Sequence, residues 1–170
     1  MKRAARQART PSAAEGRHAR RFGFFGLGAA LAIAIGWTVA VLGPASVEAE
    51  EVTVYKSPWC ECCGGWVEHM EASGFDVTVH EVEDLDPVRA EHAVTDQLMS
   101  CHTALVDGYV VEGHVPATDV RRLLEERPEA KGLTAPGMPG GSPGMESAPK
   151  EPYAVLLFDA DGDTQVFSRH

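Results

Sequence analysis

The sequence predicts an α/β domain in which a central mixed sheet is flanked by helices. Segments with β propensity alternate with amphipathic helical segments in the order strand, helix, strand over residues 51–82. Asp107-Gly108 then separates two short apolar runs, which is the strongest short-range signal for a hairpin. A second amphipathic segment follows that hairpin, and two further strand-like segments end the chain. Together these observations indicate one sheet covered by helices.

The first unit of the domain is a βαβ unit. Residues 51–56 are rich in β-favouring side chains, and the Ser57-Pro58 that follows cannot continue a central strand. From Cys63 onwards apolar residues recur at helical spacing, and Gly74 stands where a helix C-cap is expected. Residues 76–82 alternate valines with polar residues and predict the second strand.

The next part of the chain predicts a short helix, a hairpin and a longer helix. Residues 84–97 indicate a short helix and an ordered loop, although their periodicity is broken by a proline. Residues 103–106 and 109–112 form the hairpin. Residues 117–127 place apolar side chains on one face and charges on the other, with Thr118 as the expected cap.

The last part of the domain contains a loop rich in Pro, Gly and Met. Residues 128–152 carry so many prolines and glycines that no regular element is predicted there. Two Pro-Gly-Met motifs in this loop contain Met138 and Met145. Residues 153–158 and 164–167 then close the chain as a C-terminal hairpin.

The charge distribution separates the N-terminal segment from the domain. Residues 1–49 carry seven Lys or Arg and two acidic residues, a net charge of +5, within a chain of net charge −10. The remainder is therefore at about −15, and such an acidic body argues against nucleic acid as a partner because phosphates would be repelled. We predict two parts, an N-terminal segment over residues 1–49 and a metal-binding domain over residues 50–170.

The N-terminal segment has the pattern of an export signal. Basic residues precede the apolar run 22–43, and Val47-Glu48-Ala49 offers small residues for cleavage before Glu50. The apolar run is also long enough to cross a bilayer, so an uncleaved membrane anchor is the alternative. Either interpretation places the domain outside the cytoplasm, with membrane contact only through this segment.

The order of elements is that of a thioredoxin-like domain. In that fold the first helix begins with Cys-x-x-Cys, which Cys60 and Cys63 supply here. A thiol at a helix N-terminus feels the positive end of the helix dipole, which favours the thiolate. One interpretation is therefore a thiol–disulfide oxidoreductase in which Cys60 attacks and Cys63 resolves. It leaves Cys62 and Cys101 without a role.

A metal site is the interpretation that uses all four cysteines. Cys60, Cys62 and Cys63 lie around the helix start, and Cys101 lies at the entry to the third strand. A single tetrahedral zinc ion is one version. The side chains of Cys62 and Cys63 are expected to point about 100° apart on a helix, however, which favours thiolates that bridge several Cu(I) ions.

Other side chains are candidates for additional metal ligands. Met138 and Met145 are able to supply thioethers, which are soft ligands for Cu(I), or else they pack their loop against the domain. His102 follows Cys101, and His114 follows the hairpin, so that each either faces the cysteines or has a structural role. We identify no catalytic residue and no organic cofactor site. Trp59 and Trp66 are expected to shield the cysteines from water.

Several motifs occur together in an informative order. They are Val54-Tyr55-Lys56-Ser57-Pro58, Cys60-x-Cys62-Cys63-Gly64-x-Trp66, Ser100-Cys101-His102-Thr103, Asp107-Gly108-Tyr109, Glu112-Gly113-His114-Val115-Pro116 and the Met138 and Met145 loop. This series resembles the CopG-like family of exported copper-handling proteins, which is often labelled only as a domain of unknown function. The resemblance covers residues 52–167.

The resemblance implies a thioredoxin-like fold that binds copper through Cys60, Cys62, Cys63 and Cys101. It also implies a place in periplasmic copper resistance, with copper-transfer or efflux proteins as partners and with interconversion of Cu(I) and Cu(II). We therefore predict an exported protein that holds Cu(I) in a thiolate site. The oxidoreductase is the alternative, and a structural zinc domain is the third interpretation.

Overall fold

The structure, a computed structural model, describes residues 49–170. The predicted export signal or anchor lies outside the described residues apart from Ala49, so that both interpretations of this segment stay predictions. Among the described residues, no helix combines the length and the apolar character that a membrane crossing requires.

Strands and helices alternate along residues 49–170 much as the sequence predicts. The elements are β1 (Glu51–Lys56), α1 (Glu61–Ala72), β2 (Asp76–Glu81), α2 (Asp86–Glu91), β3 (His102–Val106), β4 (Tyr109–Glu112), α3 (Ala117–Glu126), β5 (Gly132–Thr134), β6 (Ala154–Phe158) and β7 (Thr164–Arg169). The predicted hairpin is present, and both central residues of its turn, Asp107 and Gly108, have positive φ. This conformation matches the twist of the two strands.

The strands form one mixed sheet in the order β2-β1-β3-β4-β5-β6-β7. β1 pairs in parallel with β2, and β4 pairs in parallel with β5, whereas the other neighbouring pairs are antiparallel. The predicted α/β class with a central mixed sheet is confirmed. The narrower description as thioredoxin-like stays a prediction.

Two predictions about local structure are wrong. The loop 128–152 contains a strand, β5, whose three residues are buried between β4 and β6. A strand this short has no detectable period, because pairing with its neighbours rather than its own pattern specifies it. Thr118 does not cap α3, because it lies within the helix. The first N–H of α3, from Ala117, is instead donated to His69 Nε2 at 3.1 Å.

The main core lies between the sheet and helices α1 and α3. Its larger members are buried and come from both helices and from five strands: Val52, Val54, Trp66, Met70, Val106, Val111, Val120, Leu123, Leu133 and Val155. A smaller cluster contains Val94, Leu98, Val110 and Phe158. Val110 and Val111 are consecutive in β4, so the two clusters lie on opposite faces of the sheet.

The register of the central strands brings three separate segments to one end of the sheet. Lys56 at the end of β1 pairs with His102 at the start of β3, and the two strands are antiparallel. Thr103 of β3 pairs in turn with Glu112 at the end of β4. The residues after β1, the residues before β3 and the residues after β4 therefore lie next to one another.

Candidate metal centre

The four cysteines meet at this end of the sheet. Cys60 directly precedes α1, Cys62 and Cys63 lie in its first turn, and Cys101 directly precedes β3. Cys60 Sγ lies 3.5 Å from Cys62 Sγ, and Cys62 Sγ lies 3.9 Å from Cys101 Sγ. All four sulfur atoms lie within 4.8 Å of one another. The structure thus brings together the complete set of predicted cysteines.

Two of the four sulfur atoms are joined by a covalent bond. Cys60 and Cys63 form a disulfide whose Cα atoms are 5.4 Å apart, whereas Cys62 and Cys101 are free thiols. The pair occupies the position of a Cys-x-x-Cys motif at a helix N-terminus, where the helix dipole stabilises a thiolate once the bond is reduced. The structure therefore shows the site in its oxidised form.

The expected divergence of Cys62 and Cys63 does not separate their sulfur atoms. Both atoms belong to the group that lies within 4.8 Å. A tetrahedral site with bonds of about 2.3 Å needs ligand sulfurs about 3.8 Å apart. The Cys60–Cys62 and Cys62–Cys101 separations of 3.5 and 3.9 Å are close to that spacing. These separations are compatible with a single ion as well as with a bridged cluster, so the preference for a cluster stays a prediction.

His114 contacts Cys101 directly. Its Nε2 lies 2.7 Å from Cys101 Sγ, and its Nδ1 lies 2.7 Å from the carbonyl oxygen of Pro143. A carbonyl only accepts, so Nδ1–H is the donor, and burial lowers the pKa of His114. The neutral ring therefore leaves Nε2 bare to accept the Cys101 S–H. Metal-ligating histidines are oriented in this way, with the second nitrogen fixed by a backbone carbonyl.

The proton of this contact resides on the sulfur in the metal-free protein. Burial, and next the neighbouring Cys62, raise the pKa of the Cys101 thiol to about 12. A metal that binds Cys101 must therefore displace a proton from it, as is usual for thiolate ligands. We expect metal binding at Cys101 to release a proton.

The imidazole of His102 is buried and has no hydrogen-bond partner within the part of the chain that the structure describes. Both of its ring nitrogens are unpaired among the described residues, and its side chain is fully buried. Burial, helped by the neighbouring His114, lowers the pKa of His102 to about 3, so the ring is neutral. The ring lies 4.5 Å from Trp66 and 5.1 Å from His114 between ring centroids. One ligand atom each of Cys101, His102 and His114 lies within 4.8 Å of the others.

The glycine-rich loop packs directly on the first turn of α1, a contact that the sequence analysis missed. A Cβ on Gly144 would lie 2.3 Å from the carbonyl oxygen of Cys62, and a Cβ on Gly65 would lie 2.9 Å from Gly144 Cα. Gly144 also has a φ of +82°, which favours glycine. Because Pro143 precedes Gly144, this contact places the carbonyl that orients His114. In the sequence, the only indication of this contact was the pair Gly64-Gly65 directly after the cysteine motif, because glycine allows another segment to approach a helix closely.

The two methionines are brought towards the site by their glycine neighbours. Gly137 precedes Met138 and forms an isolated β-bridge with Ser100, the residue before Cys101. Gly144 precedes Met145 and packs on Cys62. The side chain of Met138 is 57% exposed, which does not fit a packing role for that residue.

The two tryptophans have different environments. Trp66 is fully buried, and its Nε1–H is donated to the carbonyl oxygen of Val115 at 2.8 Å. Trp59 is 82% exposed, so the expectation that it shields the cysteines from water is wrong. It belongs to the turn before α1, in which the Cys60 N–H donates to the carbonyl oxygen of Ser57 at 3.1 Å.

A comparison with protein-family models gives a match in the region of these motifs. A family model described as protein of unknown function, DUF411, matches residues 98–145, which contain Cys101, His102, His114 and both loop methionines. A comparison with curated proteins gives no match.

Two solved structures of the copper resistance protein CopG, Form 1 and Form 2, are similar to this chain. Each is 40% identical in sequence with a TM-score of 0.68, and each alignment covers 72% of this chain. The alignments cover 99% of the Form 2 chain and 98% of the Form 1 chain. The family predicted from the motifs is confirmed: this chain belongs to the CopG family.

Proposed function

We propose that this chain is an exported copper-binding protein that holds Cu(I) in a thiolate site and acts in copper resistance. The observation that carries the proposal is the convergence of four cysteine sulfurs within 4.8 Å. Thiolates are soft ligands that select Cu(I). The names of the related structures and the export pattern of residues 1–49 support a role in copper handling outside the cytoplasm.

The full set of four thiolates forms only after the Cys60–Cys63 disulfide is reduced. A dithiol reductant transfers two electrons and two protons to the bond and is itself oxidised to a disulfide. Copper then replaces the protons on the sulfurs. In the oxidised form Cys62, Cys101 and His114 are the remaining ligands, which predicts weaker binding.

The thiolate site is proposed to hold more than one Cu(I) ion. Each thiolate sulfur is able to bridge two soft ions, and the 3.5 to 3.9 Å spacing of neighbouring sulfurs leaves room for shared coordination. His114, and more distantly His102, add nitrogen ligands beside Cys101. Nitrogen ligands suit Cu(II), whereas thiolates suit Cu(I), so the mixed ligand set supports interconversion of the two states. Periplasmic copper-transfer or efflux proteins are the proposed exchange partners.

A copper titration of the reduced protein without oxygen tests this proposal. We expect more than one Cu(I) per chain and a reduced stoichiometry in Cys62→Ser, since Cys62 lies within 3.9 Å of two other cysteine sulfurs. Stoichiometry and affinity that do not change in Cys62→Ser would contradict the thiolate cluster. Metal analysis of protein purified without oxygen separates copper from zinc, because zinc at one equivalent would support the structural zinc domain.

A thiol–disulfide oxidoreductase is the second candidate, and the Cys60–Cys63 disulfide favours it. A disulfide between a residue that precedes a helix and one in its first turn is the arrangement of redox-active Cys-x-x-Cys proteins. The measurement is catalysed reduction of insulin disulfides by wild type, Cys60→Ser, Cys63→Ser and Cys62→Ser. Activity that needs Cys60 and Cys63 but not Cys62, together with absent copper binding, would establish this candidate over the first.

A further inference from the structure

A buried ion pair contacts the residue that precedes Cys101. The side chain of Glu112 is completely buried and that of Arg89 is 12% exposed, and Arg89 Nε lies 3.3 Å from Glu112 Oε1. Arg89 comes from α2 and Glu112 from the end of β4, so the pair joins two elements that flank the Cys101 segment.

Both partners of the pair hold the backbone of Ser100. The Ser100 N–H is donated to Glu112 Oε1 at 2.8 Å, and Arg89 Nη2 donates to the Ser100 carbonyl oxygen. That carbonyl belongs to the peptide group that links Ser100 to Cys101. The ion pair therefore fixes the two polar backbone groups of the residue on which the position of Cys101 depends.

Glu112 also bonds the strand that follows Cys101. The Thr103 hydroxyl is donated to Glu112 Oε2 at 2.6 Å. The carboxylate thus bonds groups on both sides of Cys101, one residue before it and two residues after it. Other bonds also hold this segment: the Ser100 hydroxyl donates to the carbonyl oxygen of Gly137, and the Gly113 N–H donates to the carbonyl oxygen of His102. The Arg89–Glu112 pair adds the bonds to the N–H and the carbonyl oxygen of Ser100.

Stability alone does not account for an ion pair in this place. Taking two charges out of water offsets most of their attraction, and well-packed apolar residues often serve equally well. An ion pair with additional hydrogen bonds does fix geometry, because each charged group bonds several donors or acceptors in set directions. The geometry fixed here is that of Cys101, whose sulfur lies 3.9 Å from Cys62 Sγ and 2.7 Å from His114 Nε2.

We propose that Arg89 and Glu112 are positioning residues that hold Cys101 against Cys62 and His114 and thereby set the geometry of the metal site. The inference rests on the proposed thiolate site and deepens it. Neither residue belongs to the groups of cysteines and histidines that could hold a metal ion. Both residues act through the backbone of Ser100, which precedes Cys101, and Glu112 also acts through the side chain of Thr103, which follows it.

A metal-free measurement tests the positioning role directly. In full-length chain carrying Cys60→Ser and Cys63→Ser, equilibration with reduced and oxidised glutathione gives the effective concentration of the Cys62 and Cys101 thiols towards each other. We expect Glu112→Gln and Arg89→Lys to lower this effective concentration at least tenfold. Gln removes the charge and keeps the shape, whereas Lys keeps the charge and loses the planar fork that reaches two acceptors.

Asp119→Asn is the matched control. Asp119 is also a buried carboxylate with two donors, Ser168 Oγ at 2.6 Å and His170 Nε2 at 2.7 Å, but neither of them belongs to the cysteine segments. We expect this variant to lose stability without any change in the effective concentration of the two thiols. Circular dichroism shows which variants are folded. If Glu112→Gln unfolds, Arg89→Lys, which retains the charge pairing, tests whether the pair positions Cys101.

A copper measurement completes the test. With all four cysteines present and reduced, we expect Glu112→Gln and Arg89→Lys to weaken Cu(I) binding at least tenfold and to change the ultraviolet absorption of the copper–thiolate bonds. A folded Arg89→Lys with unchanged thiol exchange overturns the positioning role. Wild-type protein that binds no copper overturns the proposed function instead, and the thiol exchange still reports on positioning.

Discussion

Cys101 Sγ lies 2.7 Å from His114 Nε2, and the carbonyl oxygen of Pro143 fixes the opposite nitrogen of the same ring. The ring therefore presents an unprotonated nitrogen to the protonated sulfur of Cys101. Loss of the thiol proton would leave two groups, a thiolate and a neutral imidazole, that are both able to bind a metal. The contact joins three segments that are distant in sequence: the entry to β3, the end of the hairpin, and the glycine-rich loop.

Replacing His114 is expected to weaken copper binding. In His114→Gln the nitrogen that faces Cys101 is lost, so we expect the Cu(I) affinity of the reduced protein to fall by about 10- to 100-fold. The affinity is measured by competition with a Cu(I) chelator of known affinity. His80→Gln is the control, because His80 is exposed on β2 and stacks on Tyr55. An equal loss of affinity in both variants would show that His114 is not a ligand.

Gly144 and Gly64 are expected to respond oppositely to the same substitution. A Cβ on Gly144 would lie 2.3 Å from the Cys62 carbonyl oxygen at a positive φ, so Gly144→Ala should destabilise the fold by about 2 kcal/mol. A Cβ on Gly64 meets nothing within 4 Å, and Gly64 lies in α1, so Gly64→Ala should stabilise by about 0.5 kcal/mol. Urea unfolding of the metal-free protein measures both free energies. Similar stability of the two variants would disprove the close packing of the loop on α1.

The metal-free protein is expected to lose stability in mild acid. His102 has a pKa of about 3 in the folded protein against 6.5 for an ordinary histidine. Between these values the unfolded chain binds a proton that the folded protein does not, so stability falls as the pH decreases from 6.5 towards 3. For His102 alone the loss at pH 4 relative to pH 7 is about 3 kcal/mol.

The measurement for this acid effect is the free energy of unfolding at several pH values. His102→Phe keeps an aromatic ring beside Trp66 but cannot be protonated, so we expect most of the dependence between pH 6.5 and 4 to disappear. A remainder is expected from His114, whose pKa is also lowered by burial. The same steep dependence in His102→Phe would show that His102 is not the group responsible.

The loop methionines are expected to contribute to copper affinity. In Met138→Leu with Met145→Leu both thioethers are lost and the apolar character is kept, so we expect the Cu(I) affinity to decrease about tenfold. Met70→Leu is the control, because Met70 is fully buried in the main core and its loss should change stability only. An unchanged affinity in the double variant would show that neither thioether is a copper ligand.

The elements of the fold were largely predictable because their patterns are local. The predictions based on short stretches of sequence are confirmed. They are the alternating valines of β1 and β2, the Asp107-Gly108 turn of the hairpin and the amphipathic period of α3. β5 was missed because three residues carry no period, and its strand conformation comes from pairing on both sides. Thr118 failed as a cap because the partner of the first N–H of α3 is His69, about 50 residues earlier in the chain.

The sequence alone determined which side chains are available for chemistry, together with the motifs that identify the family. Only the tertiary structure decided how they meet: the register of β1, β3 and β4 brings Cys101 and His114 to the N-terminus of α1, and Gly144 seats the loop on it. It also showed that the Arg89–Glu112 pair holds the backbone beside Cys101. The physical reason is that strand pairing, close packing and buried charge pairs join residues far apart in the chain, whereas a sequence pattern reports only on near neighbours.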